Sequence, residues 1–132
     1  MYIAYQQWRT NAARLRVELY DRRAGILRAA KKHLATALQR GDLAPDEVTE
    51  FAAAMADAPF LFDDEITVFL DTIVKRSIAV SARTEALRQL AAVGDAVRQG
   101  EMRQRQVDDL AWMEDQLRAL NPLVKKYLKV QQ

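Results

Sequence analysis

Cysteine is absent from this sequence, and histidine occurs once, at position 33. Without cysteine the chain can form neither a disulfide framework nor a thiolate metal site. Di-metal sites in helical bundles use Glu-x-x-His motifs, but Ala30 stands three residues before His33. No metal or other cofactor is therefore expected. Because His33 follows Lys31 and Lys32, we predict that it is a surface residue.

Long apolar runs are absent as well. No window approaches the roughly 18 apolar residues that a membrane span needs, and no secretory signal follows Met1. Glycine-rich phosphate loops are missing, and no sequence pattern places a base beside Ser77 or Ser81 as a nucleophile would require. These absences predict a cytoplasmic chain that is not an enzyme.

Glycine and proline are scarce, at four and three of 132 residues, whereas half of the chain is hydrophobic. The length suits one domain with a core of its own, and the apolar spacing is helical throughout. Gly41, Pro59 and Gly100 are predicted to mark helix ends. Four helices are expected, over residues 2–40, 45–57, 63–99 and 101–129.

Heptad repeats run through the second half of the chain. Ile66, Ile73 and Val80 recur every seven residues, and Leu110 and Leu117 begin a similar series. Heptads sustained over three repeats favour coiled-coil-like packing. We predict an all-α fold, an elongated antiparallel helical bundle or coiled-coil hairpin of three long helices and one short helix. The pair at 121–122, Asn-Pro, is expected to interrupt the last helix.

Charge is segregated along the chain although the net charge is only +2. Residues 1–40 carry nine basic and two acidic residues, residues 41–74 carry nine acids and no base, and residues 75–132 carry a net charge of +4. The acidic segment is expected to fold back on the basic first helix. No DNA- or RNA-binding motif accompanies the arginines, so nucleic acid is an unlikely partner.

Aromatic residues followed by arginines open the chain. A transmembrane helix has this composition where it enters the cytosol, with rings at the headgroups and then positive charge. An anionic membrane surface is accordingly a possible partner. The predicted membrane-interface residues are Tyr2, Tyr5, Trp8, Arg9, Arg14 and Arg16.

Two segments carry a resemblance to a family. These are Tyr2-Ile-Ala-Tyr-Gln-Gln-Trp-Arg-Thr-Asn with Leu15-Arg-Val-Glu-Leu-Tyr-Asp-Arg-Arg23, and Asp57-Ala-Pro-Phe-Leu-Phe-Asp-Asp-Glu-Ile66 with Phe69-Leu-Asp71. Together they resemble uncharacterised bacterial proteins in which a hydrophobic N-terminal anchor precedes a helical domain. The resemblance covers most of residues 2–75. It implies a cytosolic helical domain on a single-pass anchor and implies no activity. The apolar anchor itself is expected to be absent from residues 1–132.

The corner at residues 60–65 combines large apolar and acidic residues. Phe60 and Phe62 are expected to plug an open end of the bundle, and Asp63 to cap the following helix. Alternatively, the corner is exposed and binds a partner, with carboxylates beside aromatic anchors. The partner-binding candidates are Phe60, Phe62, Asp63, Asp64 and Glu65. A second acidic pair, at positions 108–109, is predicted to face solvent.

These observations favour a non-catalytic domain that works by protein–protein contact, through another protein or through self-association. We expect it to be the cytosolic part of a membrane-anchored bacterial protein, at the inner face of the cytoplasmic membrane. The alternative is a free-standing helical inhibitor or adaptor, of phage or mobile-element type, that binds a host protein or nucleoprotein complex. The two hypotheses differ in whether the reading frame continues upstream of Met1 with an apolar run, as the membrane-anchored protein requires.

Overall fold

The fold is all-α, as the sequence predicts. A computed structural model describes the backbone of residues 2–129 and the side chains of residues 6–127. Over these residues, three long helices are accompanied by two short ones, rather than by the single short helix that was predicted. Within the described residues the helices are α1 (Tyr2–Arg40), α2 (Pro45–Met55), α3 (Ala58–Leu61), α4 (Asp64–Val93) and α5 (Ala96–Lys129).

Four of the helices form an up-down-up-down bundle. Helices α1 and α4 each pack against α2 and α5, so α1 and α4 lie across the core from each other. Arg23 lies beside Leu61 and Tyr127, and His33 lies beside Ser77. These contacts make α1 parallel to α4 and antiparallel to α5.

The core occupies one half of α1 and the periodic faces of the other helices. The predicted heptad residues Ile66, Ile73 and Val80 are buried, as are Met113 and Leu120 of α5. Burial of such side chains contributes about 1.5–3 kcal/mol each. The remaining large apolar residues of the core are Ile26, Leu27, Leu34, Leu43, Val48, Phe51, Met55, Leu61, Phe62 and Leu70.

The turn between the two heptad helices lies at Gly94, not at Gly100 as predicted. Gly94 has φ of 77°, and its N–H donates to the carbonyl oxygen of Leu90 at 2.9 Å. Asp95 then caps α5, because its carboxylate accepts from the N–H of Arg98 at 3.2 Å. Gly100 lies inside α5. The Gly-Asp pair, a left-handed helix end followed by a good N-cap, is the sequence signal for this turn.

Substituting the two glycines separately tests the position of this turn. Gly94→Ala is expected to lower the free energy of unfolding by about 1 kcal/mol, since an alanine is strained at positive φ. Gly100→Ala is expected to raise it by roughly 0.5–1 kcal/mol, since alanine is the better helix former. No atom lies within 4 Å of the Cβ that either substitution adds, so the two effects differ through the backbone alone. Urea denaturation measures the free energy of unfolding of both variants. A change in the same direction for both would contradict a turn at Gly94.

Pro59 acts differently from the prediction, and Pro122, where a kink or a restart was expected, lies inside one helix. Pro59 was expected to stop the second helix; instead α2 ends at Met55, and Pro59 lies in the first turn of α3. Pro122 lies within α5, which continues to Lys129 as one helix. A first-turn proline sacrifices no intrahelical hydrogen bond, which explains the position of Pro59.

A polar network fixes α4 against α5 and corrects the prediction for Asp109. Asp109 is buried, and its two carboxylate oxygens accept from Arg76 at 3.0 Å and from Arg83 at 2.6 Å. Gln106, also buried, accepts from Arg83 at 3.1 Å and donates to Thr84 at 3.0 Å. Asp109 therefore does not face solvent; only its neighbour Asp108 is exposed.

Candidate partner-binding site on the first helix

The N-terminal part of α1, residues 6–22, is largely exposed; we call it the arm. Among the described side chains of α1, the first buried one belongs to Ala24. The arm sequence favours a helix because it is rich in alanine, leucine, arginine and glutamine and contains no glycine or proline. At 1.5 Å per residue the arm is about 25 Å long.

Apolar side chains form a stripe along the arm. Trp8, Ala12, Leu15 and Leu19 follow one another at spacings of four, three and four residues, which places them on one face of the helix. Further along α1, Ile26 occupies the same face and is buried in the core. In the arm, however, Trp8 is 67%, Leu15 59% and Leu19 39% exposed. The stripe is thus a core-type face that the described part of the chain leaves largely open to solvent.

Arginines flank this stripe. Arg9 and Arg16 each follow a stripe residue directly and therefore lie along one of its edges, whereas Glu18 directly precedes Leu19 and lies along the other. Arg22, three residues after Leu19, continues the line of the stripe itself. Arg14 is on the far side of the helix. Counting Glu18 and Asp21, residues 6–22 hold four basic and two acidic residues, a net charge of +2.

A groove lies where the arm meets the end of α5. It has a volume of about 470 Å³ and is lined by residues of α1 from Ala13 to Arg23 and by Tyr127. The guanidinium of Arg23 lies 5.8 Å from the centre of the Tyr127 ring, a cation–π distance. Arg23 also donates to the carbonyl oxygen of Leu61 at 2.7 Å. These contacts hold the base of the arm against α3 and α5.

The predicted membrane-interface residues all lie at this end of α1. Trp8, Arg9, Arg14 and Arg16 are exposed arm residues. The side chains of Tyr2 and Tyr5 lie outside the described residues. The expected pairing of the basic first helix with the acidic segment is seen at Arg40, which donates to Asp42 at 3.0 Å and to Glu47 at 2.6 Å.

The corner at residues 60–65 is divided between core and surface. Phe62 is buried and packs edge-on against Tyr127, with ring centroids 5.1 Å apart, so this partner-binding candidate belongs to the core. Phe60 is instead 84% exposed. Asp63 caps α4 by accepting from the N–H of Ile66 at 3.0 Å, while Asp64 and Glu65 are exposed in the first turn.

His33 is buried, which corrects its prediction as a surface residue. Its ring stacks on Phe51 with centroids 3.9 Å apart, and its Nε2 lies 2.9 Å from the hydroxyl of Ser77. The Ser77 hydroxyl donates to the carbonyl oxygen of Ile73 at 2.7 Å, so we assign Nε2 as the donor in the pair. Burial lowers the pKa of His33 to about 4, against an opposing effect of Glu47.

The His33–Ser77 pair contains the residue types of a base and a nucleophile, but its surroundings indicate a structural role. Ser77 has no exposed surface, and its hydroxyl is already bonded to the backbone. An attacking hydroxyl must reach its substrate. A cleft of about 230 Å³ beside His33 is lined by Lys32, Glu47 and Glu50 among others, but Ser77 does not line it.

Nothing matches this chain among protein-family models, curated proteins or solved structures. In the described part of the chain, no group of three His, Cys, Asp or Glu side chains could hold a metal ion. None of the described helices has an apolar stretch that could span a bilayer.

Proposed function

We propose that this chain is a non-catalytic, helical protein-interaction domain whose binding site is the stripe of the arm. The exposure of Trp8, Leu15 and Leu19 on a face that is core further along α1 supports this proposal. Exposed apolar faces of this kind mark binding surfaces, and a partner helix would complete along the arm the packing that α2 and α5 provide in the bundle.

A single substitution in the stripe tests the proposal. Leu15→Glu is expected to reduce partner binding at least tenfold, because it removes a buried leucine from the interface and adds a charge. Ile78→Glu is the matched control, since Ile78 is also an exposed apolar residue of a helix but lies on α4, outside the arm. The readout is the amount of each protein that co-purifies, after nuclease treatment, with tagged wild-type and variant chains from the native host. Thermal melting of both variants should match the wild type.

Equal recovery of the same proteins with Leu15→Glu and with wild type would contradict the proposed site. Recovery of no stoichiometric protein with the wild-type chain would contradict the proposed function itself.

We further propose that the domain lies at the inner face of a bacterial cytoplasmic membrane. Trp8 and its neighbours Arg9, Arg14 and Arg16 occupy the exposed end of α1, and each arginine near an anionic surface contributes about 1 kcal/mol. The family resemblance implies the same location. Fractionation of the same host cells tests it, and native protein found only in the soluble fraction would favour the free-standing inhibitor instead.

A further inference from the structure

The charges beside the stripe indicate the chemistry of its partner. We propose that the arm binds an amphipathic helix of another protein, and that the apolar face of this helix is edged by carboxylates. This inference rests on the proposed function. Residues at the edges of a helix–helix seam select the partner and its orientation. Arg9 and Arg16 provide one edge, while the other edge carries Glu18. Carboxylates on the partner would therefore pair with the arginine edge, where two basic residues outweigh the single acid across the stripe.

The width of the stripe fits a single helix. It has one large apolar residue or alanine at each step of four, three and four residues, which is the spacing of a coiled-coil seam. A helix that lies in a membrane interface presents a broader apolar face, including large residues beside the central line. In the arm those neighbouring positions are all polar: Arg9, Asn11, Arg16 and Glu18.

A second copy of this chain is a poor occupant in either orientation. In an antiparallel pair the same edge of both arms meets, which would bring Arg9 and Arg16 against their own equivalents, and like charges repel. In a parallel pair, the α1 helix of the second copy would extend past the arm and lie beside the buried half of the first α1, next to Ile26. That space is already occupied by α2 and α3, since Ile26 lines a pocket together with Ala54 of α2 and Leu61 of α3.

A designed peptide serves as the probe. We would use a three-heptad helix with leucine at a and d and glutamate at e and g, whose acidic edges prevent it from pairing with itself. Matched peptides carry glutamine or lysine at e and g. The full chain would carry Trp112→Phe, which leaves Trp8 as its one tryptophan, with circular dichroism as the check of folding. Fluorescence of Trp8 then reports binding at the stripe.

The glutamate peptide is expected to shift Trp8 emission to shorter wavelength, with at least tenfold tighter binding than the lysine peptide. Added salt should weaken this binding, because the edge pairs are exposed. Introducing Arg9→Glu and Arg16→Glu together should reverse the preference in favour of the lysine peptide.

Equal binding of all three peptides would contradict the inference that the partner helix has acidic edges. It would still agree with the arm as a protein-binding site. A Trp8 shift with phosphatidylglycerol vesicles and with none of the peptides would overturn the inference and make the stripe a lipid-binding face. The proposed function is judged separately, by whether Leu15→Glu changes the proteins that co-purify.

Discussion

Asp109→Ala is expected to lower the free energy of unfolding by about 3 kcal/mol. Asp109 receives hydrogen bonds from Arg76 and Arg83, and the Arg83 side chain is itself only 17% exposed. Removing the carboxylate would leave the Arg83 guanidinium partly desolvated with only Gln106 as an acceptor, which is the costly way to break a buried pair. Urea denaturation followed by circular dichroism measures the change.

Asp108→Ala is the matched control for this substitution. Asp108 is the preceding residue and is exposed, and its carboxylate accepts from Gln104 at 3.1 Å on the surface of the same helix. Its loss should change stability by no more than about 0.5 kcal/mol. Equal losses in the two variants would show that the buried network does not stabilise the α4–α5 hairpin.

Stability is expected to fall by about 2 kcal/mol between pH 7.5 and pH 5 because of His33. Burial lowers its pKa from 6.5 to about 4, so in this range the unfolded chain binds a proton that the folded chain does not. The free energy of unfolding therefore decreases as the pH falls through 6.5, and the decrease ends near pH 4. Lys32, Glu47 and Glu50 face the same cleft, and Glu47 opposes the shift.

His33→Phe isolates this effect, since His33 is the one histidine of the chain. A phenyl ring can stack on Phe51 in its place, and the Ser77 hydroxyl keeps its bond to the carbonyl oxygen of Ile73. The variant should show a nearly flat stability from pH 7.5 to 5. The quantity to compare is the slope of unfolding free energy against pH; the same slope in both proteins would assign the effect to other groups.

The fold class follows from the sequence because apolar periodicity is a local property. Ile66, Ile73 and Val80 repeat at helical spacing, and this face is buried. The caps at Gly41 and Asp63 were predicted for the same reason, since they depend on the few residues around each helix end. The turn between α4 and α5 was predicted at Gly100 instead of Gly94 because either glycine can end a helix, and only Asp95 after Gly94 distinguishes the two positions.

The buried polar residues were not predicted, because their partners lie on other helices. His33 is separated from Ser77 by 44 positions, and Asp109 from Arg83 by 26. His33 was predicted to be exposed because lysines precede it in the sequence. Asp109 was predicted to be exposed because it is one of a pair of adjacent acidic residues. The exposure of the arm could not be predicted from the sequence either. Leu15 and Leu19 lie on the same helical face as Ile26, and only the structure shows that Ile26 is buried while the two leucines are exposed.

The division of α1 into an exposed arm and a buried half has a kinetic consequence. Most of the stability of a helix in a protein comes from its packing against other elements, and the arm has little such packing. Gly25, a poor helix former, also lies close to where the arm joins the bundle. The amide hydrogens of the arm should therefore exchange with solvent far faster than those that follow Ala24. A partner that packs on the stripe would hold the arm in this helix as it binds, so part of the contact energy would be spent on ordering it. The affinity would therefore be lower than the contact area alone suggests.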